Sequence, residues 1–513
     1  MRLLFLTLLL ISCVGAGFFG DLATNVKNVF TGEQSLGAKL KNATVNAFRK
    51  LKIGERFKGM GSKILKTLKL TPQMMKSLKE RLSKLRPIKH DHIKKEGDSI
   101  NEINAKVNAT EHLFQSDIAL TKQQADMIAK EIEEEAAGVP RAKRQAFKDK
   151  NYPRTLWSAG VNYFFDKSAS KQVQSVFLKG AKAWEKDTCI NFRENANAED
   201  AIRVFKEEGC WSFVGRLGGK QDLSLGEGCE SIGTAAHELG HALGFFHTMS
   251  RHDRNDYITV ATQNVKPDWL DQFTLETTST NDNYGMPYDY GSIMHYGGTS
   301  ASANKKPTMV PFDTNYQETL GSPFISFIDL SMLNHHYGCK SKCDPKKSAQ
   351  CSVGGFPHPR DCSRCVCPGG YGGKRCTERP AGCGKILQAS AEFETLKDVV
   401  GKGGDVVEDF EMCNYWIQSP PGTQIEVKIV SFPRGIAIDG CPYAGVEIKT
   451  NKDQTLTGYR FCAPEDAGVV LKSYSNLVPI ITYNRIAKTE TVLQYRYVSA
   501  GGQSTRKPTT KRR

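Results

Sequence analysis

The spacing of apolar and polar positions changes character several times along the chain. Residues 63–70, KILKTLKL, alternate lysines with Ile and Leu. This reads as a basic amphipathic helix facing solvent, with partial disorder or a membrane-active helix as the alternatives. Residues 161–165, VNYFF, form a short apolar run typical of a strand. Residues 173–186 place Val176, Leu178, Ala181 and Trp184 at helical spacing. A second short strand is expected at 202–205 (IRVF), an edge strand at 223–226 (LSLG), and a helix beginning near Gly233 and Thr234. Together these predict an α+β unit: a mixed sheet with two long helices, followed by a more irregular half. Residues 343–376 are rich in Gly and Pro and poor in apolar runs, whereas 425–430 (IEVKIV) and 446–449 (VEIK) alternate strictly. Alternation of that kind predicts an all-β sandwich.

Length and charge narrow the reading. A chain of 513 residues has room for several domains. The net charge of +15 is unevenly placed: residues 17–144 carry 25 Lys and Arg against 15 Asp and Glu, and the last eight residues carry five more basic groups. The excess sits in two peripheral segments rather than on a folded face, which argues against a nucleic-acid protein. Residues 1–16, MRLLFLTLLLISCVGA, have the basic start, apolar run and small residues of a secretory signal peptide. The run is too short to span a bilayer, so no membrane anchor is expected and the chain reads as secreted and extracellular. Of the 15 cysteines, Cys13 leaves with the signal. The even remainder predicts a disulfide framework. Asn42 and Asn108 head glycosylation sequons. The basic cluster Arg141-Ala142-Lys143-Arg144 is a processing site whose cleavage frees Gln145 and makes residues 17–144 a propeptide.

The chemistry concentrates in His237-Glu238-Leu239-Gly240-His241-Ala242-Leu243-Gly244-Phe245-Phe246-His247. On a helix, His237 and His241 lie one turn apart on one face and can grip a single Zn²⁺. Glu238 is the candidate general base, and a turn at Gly244 brings back His247 as a third ligand. Three nitrogen ligands leave one position for water, as a catalytic zinc requires.

Downstream lies Tyr288-Asp289-Tyr290-Gly291-Ser292-Ile293-Met294-His295-Tyr296. The S-x-M-H-Y string behind such a helix resembles the astacin family of metzincin metalloproteases. Gly209-Cys210-Trp211-Ser212, Gly228-Cys229-Glu230 and Asn334-His335-His336-Tyr337-Gly338-Cys339 are also similar to family strings. Residues 365–376, C-x-C-x₈-C, resemble an EGF-like module. Cys413-Asn414-Tyr415-Trp416 and Arg460-Phe461-Cys462 resemble a CUB domain. The layout is thus similar to the nematode type: propeptide 17–144, a two-lobed catalytic domain 145–339, an EGF-like module 340–377, a CUB sandwich 383–497 and a basic disordered tail 498–513.

The resemblance implies that His237, His241 and His247 bind zinc, with Glu238 as base, Met294 in a turn beneath the metal and Tyr296 stabilising the intermediate. It implies disulfides Cys189–Cys339, Cys210–Cys229, Cys343–Cys362, Cys351–Cys365, Cys367–Cys376, Cys383–Cys413 and Cys441–Cys462. Leu113-Phe114-Gln115-Ser116-Asp117-Ile118 resembles the family's F-x-G-D segment, so Asp117 is implied as the carboxylate that blocks zinc in the zymogen, with Ser116 where Gly is usual. Thr248 stands where the family commonly has Glu, which leaves the anchoring of the freed N-terminus open. Cys441-Pro442-Tyr443-Ala444-Gly445 lacks the Asp of calcium-binding CUB domains, so no Ca²⁺ is expected there. The expected function is a secreted zinc metalloendopeptidase (EC 3.4.24) acting on extracellular matrix, cuticle or envelope proteins. The expected substrate path pairs with the strand at 223–226, and matrix contacts are expected through the CUB, the EGF-like module and the tail. The alternative is a silent adhesion or matrix-binding protein working through those modules.

Overall fold

A computed structural model describes residues 53–138, 146–147, 152–276 and 281–499. The signal peptide, Asn42, the basic cluster ending at Arg144, Gln145 and the tail beyond Ser499 lie outside the described residues.

The centre is a six-stranded sheet in the order β1-β6-β7-β5-β3-β4. Its strands are β1 (Ile118–Ala119), β3 (Val161–Phe165), β4 (Phe192–Glu194), β5 (Ala201–Phe205), β6 (Cys210–Phe213) and β7 (Lys220–Leu225), while the two-residue strand β2 (Ala146–Phe147) lies outside it and pairs with Asn281–Asp282. Only β6 and β7 pair antiparallel; the other neighbours run parallel. The helix Lys171–Lys186, capped by the Ser170 hydroxyl, buries Val173, Val176, Phe177, Ala181 and Trp184, whereas Leu178, expected on the same stripe, points to solvent because it falls two positions from Val176 and off the buried face. It lies on the helix Ile232–Ala242, and the Trp184 indole donates to Ala236 O at 2.9 Å. Gly180 permits the crossing, since a Cβ there would sit 3.0 Å from Ala236 N.

Two expectations are corrected. Residues 220–225 are not an edge: β7 lies between β6 and β5, with Leu223 and Leu225 fully buried. A short apolar run does not reveal whether one or both flanks are paired. The edge is β6, and β1 from the N-terminal segment covers it. That segment is also not solvated. Its helices α1 (Ile53–Lys58), α2 (Gly61–Thr67), α3 (Pro72–Leu82), α4 (Ile100–Lys106) and α5 (Lys122–Ala136) pack on the rest of the chain. Phe57, Ile64 and Leu68 share a core with Phe246, Met249 and Ile258. The lysines of 53–70 face water while the apolar stripe is covered. Arg81 is buried, donating to Val310 O (2.8 Å), Pro311 O (3.1 Å) and Thr259 Oγ1 (2.7 Å).

The C-terminal region is a β-sandwich of a five-stranded and a four-stranded sheet. Ile417, Ile425, Val427, Val446, Ile480 and Leu493 fill the space between the sheets. A cysteine-rich segment joins the two larger bodies. Arg360 donates to Thr188 O and Ile190 O on one side (both 2.7 Å), and the Trp416 indole of the sandwich donates to Gly370 O (2.7 Å) on the other. The sandwich also touches the region of the six-stranded sheet directly, where Asp439 Oδ2 accepts from Thr299 N at 2.8 Å. Seven disulfides are formed: Cys189–Cys339, Cys210–Cys229, Cys343–Cys362, Cys351–Cys365, Cys367–Cys376, Cys383–Cys413 and Cys441–Cys462. No helix among the described residues is long and apolar enough to cross a membrane.

Candidate active site

The site is built on the helix Ile232–Ala242, whose first turn is capped by Ser231 Oγ accepting from Thr234 N. His237 and His241 project from one face, with ring centroids 4.8 Å apart. The helix stops at Leu243 and the chain reverses at Gly244, whose φ of +109° would strain any side chain. Phe245 N then bonds Gly240 O at 3.0 Å, and His247 returns to 4.8 Å from His241.

Backbone and side-chain acceptors set the tautomer of each ring. His237 Nδ1 donates to Ile293 O (2.7 Å), His241 Nδ1 to Phe245 O (2.7 Å) and His247 Nδ1 to Gln115 Oε1 (2.9 Å). All three Nε2 lone pairs therefore point inward. Burial keeps the His241 and His247 rings neutral: it lowers the pKa of His241 and pushes His247 down to about 3. Into the same point comes the Asp117 carboxylate, 3.0 Å from His237 Nε2, 3.1 Å from His247 Nε2 and 3.5 Å from His241 Nε2. Asp117 is fully buried.

Four acceptors thus converge with no donor among them, and His241 Nε2 and Asp117 Oδ1 lack any hydrogen-bond partner. Buried unpaired acceptors are costly, and a cation resolves them. Three imidazole nitrogens and one carboxylate oxygen form a donor set suited to tetrahedral zinc. The residues present fit that metal.

Glu238, one position after the first histidine, has both carboxylate oxygens buried without a partner. Burial, and secondarily the charge of Asp117, pushes its pKa well above the usual carboxylate range. Met294 lies beneath the helix, where a Cβ at Gly240 would come 2.4 Å from its Sδ. Only glycine lets the two approach so closely. The Tyr296 ring stacks near His237 (centroids 6.0 Å, 14°), and its hydroxyl donates to Gln115 O at 3.0 Å. Burial pushes the Tyr296 pKa well up, so the phenol keeps its proton.

The structure therefore brings together Asp117, His237, Glu238, His241, His247, Met294 and Tyr296. Asn108 lies apart and exposed, in a left-handed turn at φ 58°. Thr248 bonds the turn under the histidines, donating through Oγ1 to Ser292 Oγ at 2.8 Å. Sequence reasoning missed two residues. Gln115 holds His247 and also accepts from Ser250 Oγ (3.0 Å). Asp329 holds the Met294 turn, accepting from Ser292 Oγ (2.6 Å) and Ile293 N (2.9 Å). Burial raises the Asp329 carboxyl to about 6. Its capping box with Ser326 is visible in the sequence as S-x-x-D, but its reach to residue 293 needs the tertiary fold.

Comparison with known proteins places this geometry. The profile of the Astacin peptidase family matches residues 149–338. Zinc metalloproteinase nas-31 of Caenorhabditis elegans is 48% identical over 422 residues, covering 82% of this chain and 69% of the relative. The chain belongs to the astacin family. Another astacin-family relative, zinc metalloproteinase nas-32 of C. elegans, is 36% identical, covering 87% of this chain and 67% of the relative. The structure of high choriolytic enzyme 1, a hatching enzyme zinc-protease from Oryzias latipes, matches at 32% identity and a TM-score of 0.33. It covers 38% of this chain and 94% of that one. As an astacin, the chain is a metalloprotease of a zinc-dependent family, with a catalytic domain of mixed α and β content, and a disulfide-bonded, β-rich C-terminal region behind it.

Proposed function

We propose that the chain is a secreted zinc metalloendopeptidase made as a zymogen, with the domain boundaries, EGF-like and CUB modules and extracellular protein substrates expected from its sequence. The observation that carries this reading is the convergence of three inward Nε2 atoms on Asp117, with the unpartnered Glu238 carboxyl beside them. His237, His241 and His247 would hold the zinc, and Asp117 would fill its fourth position until residues 17–144 are removed after Arg144. Secretion is supported by the N-terminal pattern and the seven disulfides, which form in oxidising compartments. Matrix, cuticle or envelope proteins are the substrates proposed.

When bound, zinc supplies a Lewis acid that makes water nucleophilic near neutral pH. The chain's own residues do the rest. Glu238 accepts the proton of the attacking water and returns it to the leaving amine. Tyr296 donates its hydroxyl proton in a hydrogen bond to the carbonyl oxygen as negative charge grows there. The Gln115 carbonyl is the acceptor it holds in the present structure. The substrate backbone takes the place of β1 on the edge strand β6.

The test is to express the whole chain, cleave after Arg144 and follow a peptide library with and without chelator. Chelator-sensitive hydrolysis is expected. Glu238→Gln should cut turnover by about 10³-fold while the protein keeps one zinc. An active Glu238→Gln enzyme would sink the reading, and partner binding without proteolysis would favour the silent adhesion protein.

A further inference from the structure

The N-terminal segment does more than deliver Asp117. Between α3 and α4 it crosses from the catalytic region onto the sandwich. Asp91 N donates to Ala437 O (2.8 Å), Ala437 N returns a bond to Asp91 Oδ2 (3.0 Å), and Tyr443 OH donates to Asp98 Oδ1 (2.6 Å). Residues 87–92 form one wall of a cleft of about 950 Å³ that runs from His237 and Tyr296 to Asp439 and Arg485 of the sandwich. Loss of the segment therefore opens the active-site cleft onto the second domain.

At the start of this crossing sits Arg86. Its Nε donates to Asp466 Oδ1 at 2.8 Å, and its guanidinium lies 5.5 Å from the centre of the Phe461 ring. The Asp466 side chain is wholly buried, while Arg86 keeps 23% of its surface. Beside them is Glu318 from the catalytic region, 3% exposed. Its Oε2 accepts from Cys462 N at 3.3 Å, and its Oε1 has no partner. Asp466 and an aromatic face thus hold the guanidinium, and Glu318 from the other domain lies near enough to feel its charge. Asp466 also caps its own turn, accepting from Ala463 N at 3.0 Å, so the acidic pair is held in place without Arg86. Burial and the charge of Asp466 raise the Glu318 pKa well above the usual range. Removing Arg86 leaves the pair without its cation.

We propose that the mature enzyme uses this place as an arginine pocket: Asp466, Glu318 and Phe461, at the boundary of the catalytic region and the sandwich, bind the guanidinium of a protein substrate held in the active site. Arg86 stands in for that side chain. The proposal rests on the zymogen reading above, because the pocket is vacated only when residues 17–144 depart. It assigns the sandwich a direct part in substrate choice, favouring extended, arginine-bearing chains over short peptides. Guanidinium suits the site because charge-assisted bonds to carboxylate and a stacked ring can be made together.

The test uses the full chain matured by cleavage after Arg144, and a fluorescent peptide of residues 80–98 as probe. The peptide is expected to bind and to raise the KM for casein without slowing a short quenched substrate that spans only the catalytic centre. Arg86→Ala in the peptide should weaken binding at least about tenfold, and Asp466→Asn in the enzyme should do the same. The peptide variant leaves the enzyme untouched, so misfolding cannot explain its result. Equal binding of the native and Arg86→Ala peptides overturns the pocket. So does millimolar calcium abolishing the difference between them, which assigns the carboxyls to a metal ion. Turnover of the short substrate is followed before and after cleavage in the same samples. No rise on cleavage sinks the zymogen reading itself, whereas a rise with Arg86-independent binding sinks only the pocket.

Discussion

The N-terminal segment enters the molecule at two buried ionic sites of opposite sign. At one, the Asp117 carboxylate lies among three imidazole nitrogens that are all acceptors. At the other, the Arg86 guanidinium lies against Asp466 and Glu318. The first cluster is incomplete as protein alone, since acceptors face acceptors and a cation must complete it. The second already contains a cation, the Arg86 guanidinium bonded to Asp466. The difference separates what each can do. The Asp117 end reports on the metal, and the Arg86 end reports on how the sandwich and the catalytic region are joined.

The largest expected effect breaks the first site. In a chain made uncleavable by Arg144→Ala, Asp117→Ala removes the one carboxylate that reaches the histidines. Deleting one partner of a buried ionic cluster costs roughly 3–5 kcal/mol. Hydrolysis of a short quenched peptide by the intact chain should therefore rise by about 10²-fold or more. No rise would mean that Asp117 is not what keeps the site closed.

The next effect separates the two ends. A ligand present at a hundred times its dissociation constant stabilises its site by about 2.7 kcal/mol. Chelating the metal from the intact chain should then speed amide exchange about 100-fold where β1 meets β6, at Ser212, which donates to Asp117 O at 3.1 Å. The amides of Asp91 and Ala437, paired across to the sandwich, should keep their rates. Equal acceleration at both places would show that the segment leaves as one unit and that the ends are not independent.

How much of this is legible in the sequence follows the range of each signal. The three histidines and Glu238 sit within eleven residues, and helix geometry alone gathers two of the ligands. The strand at 161–165 and the helix over 171–186 coincide with their expected positions because each declares itself within one window. The strand at 220–225 reads as an edge at 223–226 because its two apolar letters, Leu223 and Leu225, carry no information about its flanks. The helices of 53–82 read as solvated because lysine spacing shows which face is wet and not what covers the other. Arg86 and Asp466 are 380 positions apart and Glu318 lies between them, so no local pattern joins them. Gln115 sits inside a recognisable segment, yet its bond to His247 depends on a turn whose direction the letters do not give.

That turn carries the smallest prediction. Phe114 and Ile118 exchange backbone bonds at 2.8 and 3.0 Å, and the three residues between them must reverse the chain. Gln115 and Ser116 do so at φ 49° and 81°, in the left-handed region. An L-residue pays about 1–2 kcal/mol to stay there, and glycine does not. Glycine also gives the free segment more conformational entropy to lose, about 0.5–1 kcal/mol in the opposite direction. The net gain from Ser116→Gly is thus about 0.5–1 kcal/mol, or roughly twofold to fivefold. Added in trans to the mature enzyme, a segment carrying Ser116→Gly should inhibit the short substrate that much more tightly. The variant keeps the Ser116 carbonyl that accepts from Asn104 Nδ2 at 2.9 Å, so only the backbone strain and the hydroxyl change. Weaker inhibition would show that the hydroxyl beside Tyr296 contributes more than the strain costs, and that serine at this turn is an adaptation of the Asp117 end rather than a burden on it.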